Sequence, residues 1–204
     1  MLGNQKNIPR PNSWKDLLNP VYKGQIVMPS PNASGTGFIS VSGWLQIFGE
    51  KQGWEFMDGL NENMAFYERS GSKPCVMAAR GEFAVGISFA TRGVREKGKG
   101  APIELISPSE GLGWTIASTA LIKGGKNPEA AKKFADWSAS PNGAKALSFE
   151  RVILSRPALS KKVEFYPENW NNKLIKNDFY WIVNNKKAIL KEWTKRYDVK
   201  TVPE

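Results

Sequence analysis

The clearest ligand-binding pattern in this sequence is a turn of small residues, SGTG, at 34–37. It follows a short apolar run at 25–28 and leads directly into an amphipathic helical pattern. The first N–H groups of a helix have no intrahelical acceptor, and the helix dipole places partial positive charge beside them. Because glycines let a ligand reach the backbone and hydroxyls add donors, the turn predicts an oxyanion site. The alternative is ordinary N-capping by Ser34 or Thr36, which gives only one of these residues a role.

Three further positions carry weaker signals of the same kind. The turn SGSK at 70–73 repeats the small-residue pattern before a helix, but Pro74 removes one backbone donor. Ser88 lies near the C-terminal end of an apolar run at 83–89, where α/β sheets bind their ligands. Glu110, on the loop SEGLG, would accept hydrogen bonds from a ligand's amine or hydroxyls, or would be an ordinary exposed turn carboxylate.

The residue types needed for catalysis are largely missing. The sequence has no histidine and one cysteine, Cys75, so it lacks Ser–His and Cys–His pairs and most ligands of zinc or iron–sulfur sites. Early in a predicted helix, the Cys75 thiol would have a lowered pKa or would serve as a small buried residue. Carboxylates such as Glu62 and Glu68 match solvated faces rather than an acid–base pair. We therefore expect a binding protein without cofactor or metal, and not an enzyme.

An excess of basic residues favours anionic partners. The 204 residues include 29 Lys and Arg against 19 Asp and Glu, a formal net charge of +10. The lysines are scattered, whereas nucleic-acid binders concentrate charge and interleave exposed aromatics. We expect a small anionic partner and no nucleic acid, with a basic interaction or nucleic-acid module as an alternative. No apolar run is long enough to span a membrane, and the first residues lack the apolar region of a secretory signal.

The spacing of apolar residues predicts strands alternating with helices, which is typical of an α/β fold with a largely parallel sheet. Proline and glycine punctuation separates these elements. The predicted helices lie near 14–18, 37–48, 53–60, 73–80, 92–98, 128–138, a further one from Pro141, and 172–197; the predicted strands are 25–28, 83–89, 103–106 and 115–122, with an extended segment at 151–159.

Several motifs together resemble the extracytoplasmic solute-binding proteins of ABC importers. They are similar in order and spacing to the branch that contains ferric-iron-binding proteins and their phosphonate- and sugar-phosphate-binding relatives. The motifs are SWKDL at 13–17, PVYKG at 20–24, SGTG at 34–37, GE at 81–82, GISF at 86–89, EGLGW at 110–114 and KNPEAAKKF at 126–134.

The resemblance implies one lobe of a two-lobed type II periplasmic binding protein, together with a segment returning to an absent first lobe. Residues 10–118 would form the ligand-binding α/β lobe, and 119–168 would be the returning segment. Residues 169–204 would form a C-terminal helix that packs back on the ligand-binding lobe. Family chains are longer at the N-terminus, so the resemblance implies a truncated form, with an oligomer or a separate chain covering the exposed lobe interface.

The resemblance also implies a ligand class and a site. Iron-binding members carry adjacent tyrosines after the strand that matches 83–88, but this sequence reads SFA at 88–90. The departure favours a phosphonate or phosphate-ester anion. By resemblance, the oxyanion would be held by Ser34, Gly35, Thr36 and Ser88, and the organic part would be oriented by Glu110.

The alternative within the same family is a ferric-iron-binding member. It would have to recruit Tyr22, Tyr67 or carboxylates as ligands, since the paired tyrosines are replaced. Family membership further implies a membrane ABC permease as partner. It also implies a periplasmic or extracytoplasmic location, although we expect no signal peptide in this chain.

Overall fold

The structure, a computed structural model, describes residues 2–3, 8–148 and 164–203. The chain divides into two compact units. The first comprises Met1–Trp114 and Phe165–Glu204, and the second comprises Thr115–Glu164. The sequence placed its own boundaries after 118 and 168. The packing of residues 119–168 onto another lobe stays a prediction.

The first unit is built on a five-stranded mixed sheet. Its strands are β1 (Leu2–Gly3), β2 (Ile26–Pro29), β3 (Met64–Glu68), β4 (Val85–Gly86) and β5 (Ile103–Glu104). Their spatial order is β3-β2-β4-β1-β5. Strand β2 is parallel to both β3 and β4, whereas β1 is antiparallel to β4 and β5. All four residues of β2 are buried, as expected for a strand covered on both faces.

Helices of the first unit connect the strands of this sheet, and the described elements of the second unit are helices as well. In the first unit they are α1 (Gly35–Phe48), α2 (Glu50–Asn63), α3 (Lys73–Ala79), α4 (Ala90–Gly98) and α7 (Phe179–Tyr197); in the second unit they are α5 (Pro128–Ala139) and α6 (Pro141–Ser148). The mixed α/β fold is the predicted class. In the part of the chain that the structure describes, no helix has the length and apolar character needed to cross a membrane.

The C-terminal helix α7 completes the core of the first unit. Trp193 is 1% exposed and makes edge-to-face contacts with Tyr67 and Tyr197, at centroid distances of 4.8 and 4.7 Å. The Arg196 guanidinium donates to the Asp58 carboxylate at 2.9 Å, and the Tyr197 hydroxyl donates to the same carboxylate at 2.6 Å. Aromatic packing by Trp193 and hydrogen bonds to Asp58 therefore hold α7 against β3 and α2.

The second unit is small and exposes much of its apolar surface. Helix α5 starts with Pro128 in its first turn, where a missing N–H has no cost. Phe134 and Trp137 form a ring pair at 5.8 Å, yet they are 59% and 46% exposed. Gly143 and Ala144 are buried against the end of α5, since a Cβ on Gly143 would meet the Trp137 carbonyl oxygen at 2.3 Å.

Three predicted elements differ from the observed ones. The predicted strand at 115–122 has no regular structure, and its apolar side chains are exposed, Ile122 to 85%. In the described sheet no strand pairs with this segment, so its backbone has no ladder to join. The strand at 83–89 is reduced to Val85–Gly86, because the chain leaves the sheet after Ile87 and enters α4 at Ala90.

The last helix begins later than the spacing predicted. Asp178 caps it by accepting the Trp181 N–H at 2.8 Å, while the preceding Trp170–Lys173 turn is 3-10 helical. Strand β3 was missed altogether. The predicted extended segment at 151–159 lies outside the described residues.

Candidate ligand-binding site

The SGTG turn lies where the central strand ends and the first long helix begins. Strand β2 ends at Pro29, and the fully buried Ser30 accepts the Ser34 N–H through its carbonyl oxygen at 2.9 Å. A Cβ on Gly37 would come within 2.3 Å of the Pro29 carbonyl oxygen. Only glycine lets the first turn of α1 approach the strand end this closely. The turn is therefore fixed to the sheet by backbone contacts.

Ser34 is the N-cap of α1. Its backbone is extended, with φ −137° and ψ 129°, and its Oγ accepts the Thr36 N–H at 3.2 Å. A hydroxyl that accepts a hydrogen bond keeps its own proton for donation. Capping and anion binding are thus compatible in the same residue. Gly35, the first residue of α1, is exposed, and a Cβ added to it would meet nothing within 4 Å.

A second turn lies directly against these hydroxyls. A Cβ on Gly71 would come within 2.6 Å of Thr36 Oγ1 and 2.8 Å of Ser34 Oγ. Ser88 Oγ donates to the Gly71 carbonyl oxygen at 2.6 Å. The structure therefore brings Ser34, Thr36 and Ser88 together around Gly71, which belongs to the turn with the weaker sequence signal. Because the Ser88 hydroxyl donates its proton to this hydrogen bond, Ser88 holds the Gly71 backbone in place.

Glu110 lies apart from this cluster. Its carboxylate accepts the N–H groups of Trp14 and Lys15 at 2.9 and 3.1 Å, at the start of a 3-10 helix, Lys15–Leu18. The neighbouring Gly111 packs near Ile47, in the last turn of α1, whereas Thr36 is in its first turn. Eleven residues of helix separate these positions by roughly 16 Å. A direct contact between Glu110 and a ligand at the SGTG turn stays a prediction.

Glu68 is a polar residue of this region that the sequence did not indicate. We expected it on a solvated face, but it is buried, with 4% exposure, at the end of β3. Its carbonyl oxygen accepts the Ser30 N–H at 2.7 Å, and its carboxylate contacts the Lys73 ammonium and accepts the Arg69 N–H at 3.1 Å. The only sequence signal was Lys73 itself, the last residue of SGSK.

The tyrosine hydroxyls considered as metal ligands make hydrogen bonds within the protein, and the Cys75 thiol is buried. The Tyr22 hydroxyl donates to the Pro9 carbonyl at 2.7 Å and the Tyr67 hydroxyl to Asn61 Oδ1 at 2.9 Å, and burial raises the pKa of both phenols. Burial also raises the pKa of the Cys75 thiol to about 11. Among the described residues, no cluster of three or more His, Cys, Asp or Glu could hold a metal ion.

An α/β sheet with a hydroxyl-lined helix N-terminus beyond the carboxyl end of its central strand is the architecture of a ligand-binding α/β protein. The comparison with protein families specifies the class further. Residues 3–185 match the model of the bacterial extracellular solute-binding proteins, and the chain belongs to that family.

Individual relatives agree with this assignment. An uncharacterized protein of Haemophilus influenzae is 33% identical over 190 residues, which cover 90% of this chain and 54% of that protein. The structure of the periplasmic binding protein AfuA from Actinobacillus pleuropneumoniae, with exogenous fructose-6-phosphate bound, is 29% identical and superposes with a TM-score of 0.87. The periplasmic binding protein P5PA is also 29% identical and superposes with a TM-score of 0.84.

The chain matches only part of each relative's length. It covers 61% of the AfuA chain and 62% of the P5PA chain, while 94% of this chain is matched in both cases. A shorter stretch of 59 residues is 32% identical to the phosphoglycerate transport regulatory protein PgtC of Salmonella typhimurium, which is 15% of that protein. Ferric binding proteins from Bordetella and Campylobacter jejuni, at 15% and 18% identity, share the fold.

Proposed function

We propose that this chain binds a phosphate-ester or phosphonate anion as the solute-binding component of an ABC importer. The observation that carries the proposal is the convergence of Ser34, Thr36 and Ser88 around Gly71 at the N-terminus of α1. The relative whose structure holds fructose-6-phosphate supports the ligand class. The similarity to a phosphoglycerate transport protein points in the same direction.

The proposed oxyanion contacts are neutral donors. Gly35 is an exposed residue of the first helical turn, where backbone N–H groups have no intrahelical acceptor, and the hydroxyl residues Ser34 and Thr36 flank it in the sequence. Ser88 acts indirectly, because its hydrogen bond to the Gly71 carbonyl oxygen fixes the turn that lies against these hydroxyls. The partial charge of a helix terminus contributes only ~0.3–1 kcal/mol to the free energy of binding, so several donors must act together. We therefore expect weak binding by this chain alone, with a dissociation constant on the order of millimolar.

Glu110 has a different place in the proposal. Because its carboxylate caps the Lys15–Leu18 helix, we propose that it stabilises the fold at the far end of α1. Orientation of the organic part of the solute would then fall to residues nearer the cluster. The Glu110→Gln variant tests this role, because weaker solute binding by it would instead support a direct contact between Glu110 and the organic part of the solute.

Membership of an extracellular solute-binding family supports a membrane ABC permease as partner and a periplasmic location. It also supports a role in delivery rather than in catalysis. In such a role the solute is released unchanged.

Calorimetric titration tests the ligand class. Fructose 6-phosphate, 2-aminoethylphosphonate and inorganic phosphate are titrated into the 204-residue chain and into the Thr36→Ala variant. We expect binding of at least one of them by the parent and none detectable by the variant. The Thr119→Ala variant, at an exposed threonine of the second unit, is the matched control and should bind as the parent does. Equal binding by parent and Thr36→Ala would refute the anion site.

A further inference from the structure

We infer that Lys73 is the cation that contacts the solute's anionic group, and that buried Glu68 positions it. This inference rests on the proposed function, because it assigns a charged contact to the same site. The proposed donors at the SGTG turn are neutral groups, and the partial charge of a helix terminus gives only a weak preference for an anion over a neutral sugar. A nearby cation would strengthen that preference.

The Glu68–Lys73 pair is asymmetric in its exposure. The Glu68 side chain is 5% exposed and that of Lys73 is 56% exposed. By contrast, both partners of the Arg10–Glu104 pair are about half exposed, at 46% and 44%. A buried carboxylate is costly without a counter-charge, so Glu68 holds the ammonium firmly. The exposed half of Lys73 remains free to meet a ligand.

An ammonium has three N–H donors, and the Glu68 contact uses one of them. The second Glu68 oxygen is occupied by the Arg69 N–H. The Lys73 side chain is 56% exposed, and it cannot move away without leaving a buried charge unpaired. Lys73 is therefore preorganised, which lowers the entropic cost of a charged contact.

The Glu68–Lys73 pair lies near the proposed site by its position in the chain and by one backbone hydrogen bond. Glu68 joins the loop after β2 through its carbonyl oxygen, which accepts the Ser30 N–H at 2.7 Å. Lys73 is two residues from Gly71, where an added Cβ would come within 2.6 Å of Thr36 Oγ1. Lys73 therefore belongs to the turn that lies against the Ser34 and Thr36 hydroxyls. The Ser70 and Ser72 hydroxyls, 3.2 Å apart, brace the turn between them.

The inference is tested by titrating fructose 6-phosphate into four variants at several salt concentrations. Lys73→Met should weaken binding roughly tenfold and flatten the salt dependence of affinity, because a charge-assisted contact is lost. Lys73→Arg should retain affinity within about threefold, since it keeps the charge. Lys51→Met is the matched control, because it removes a lysine that pairs with Glu55 on α2, away from the turns. It should bind as the parent does.

The double variant Glu68→Gln/Lys73→Met separates direct contact from simple neutralisation of Glu68. If Lys73 touches the solute, the double variant binds as weakly as Lys73→Met. Recovery to parent affinity would show that Lys73 only neutralises Glu68, and would overturn the inference. Parent-like binding by Lys73→Met would overturn it as well. Absence of binding by the parent is a distinct result that refutes the proposed function, and the inference with it.

Discussion

Gly71 lies so close to Thr36 that a Cβ built on Gly71 would come within 2.6 Å of Thr36 Oγ1. The two residues belong to separate turns, each after a different parallel strand. Their contact brings the second turn onto the N-terminus of α1. The Ser88 hydroxyl secures the arrangement by donating to the Gly71 carbonyl oxygen.

The Gly71→Ala variant tests this contact. The added methyl must displace Thr36 Oγ1 or Ser34 Oγ, so we expect at least tenfold weaker solute binding and a loss of about 1–2 kcal/mol in stability. Calorimetry and urea unfolding measure the two effects. Gly59→Ala is the control, because its new methyl meets only the flexible side chain of Leu18. Unchanged binding by Gly71→Ala would show that the turns need not touch.

Two glycines of α1 should respond oppositely to alanine. In Gly37→Ala the Cβ would lie 2.3 Å from the Pro29 carbonyl oxygen, so the helix must move off the strand, at a cost of about 3 kcal/mol. Gly35→Ala meets no atom and should stabilise the protein by ~0.4–1 kcal/mol. Urea unfolding of both variants measures the difference. Similar stabilities would contradict the close contact between α1 and β2.

Substitutions of Ser34 separate its capping role from ligand binding. Ser34→Ala loses the bond from the Thr36 N–H and should cost about 1 kcal/mol, whereas Ser34→Gly should cost only a few tenths. Both remove the hydroxyl, so both should weaken solute binding to the same degree. Thermal unfolding and calorimetry provide the two readouts. Parent-like affinity in Ser34→Gly would mean that Ser34 only caps the helix.

Cys75 should behave as a buried structural thiol. Burial raises the folded-state pKa of the thiol to about 11, above the ordinary value of 9.0. Iodoacetamide at about pH 8 should therefore label it at least ~100-fold more slowly in the folded than in the unfolded protein. In the unfolded chain the thiol loses its proton first, so stability should fall as pH rises from 9.0 toward about 11. Cys75→Ala should show a smaller fall, and rapid labelling of the folded parent would contradict the burial.

The local parts of the fold were predictable from the sequence. Strand β2, the SGTG turn and helix α1 follow from apolar spacing and capping chemistry, which act between near neighbours. The motifs at 13–134 also identified the family that the comparisons show. By contrast, the segment predicted as a strand at 115–122 pairs with no strand of the described sheet, and strand formation depends on such pairing.

The composition of the site was less predictable than its position. Gly71 approaches Ser34 only because the carboxyl ends of β2 and β3 lie side by side, and β3 itself was not recognised. The sequence suggests that Glu68 is a surface carboxylate. In the structure, the pairing of β3 with β2 places it beside Ser30, where it is buried. Such contacts depend on the tertiary arrangement of residues far apart in sequence. Periodicity and composition carry no information on them.

The most direct test of the account is a two-dimensional ¹⁵N NMR titration of the 204-residue chain with fructose 6-phosphate. Millimolar binding is within reach of this method, and each amide reports its own environment. We predict that the largest saturable shifts belong to the amides of Gly35, Thr36 and Gly71. The Lys15 amide, bonded to Glu110 at the other end of α1, should shift least. Saturable shifts centred on Lys15, or no saturable shift at all, would contradict an anion site at the SGTG turn.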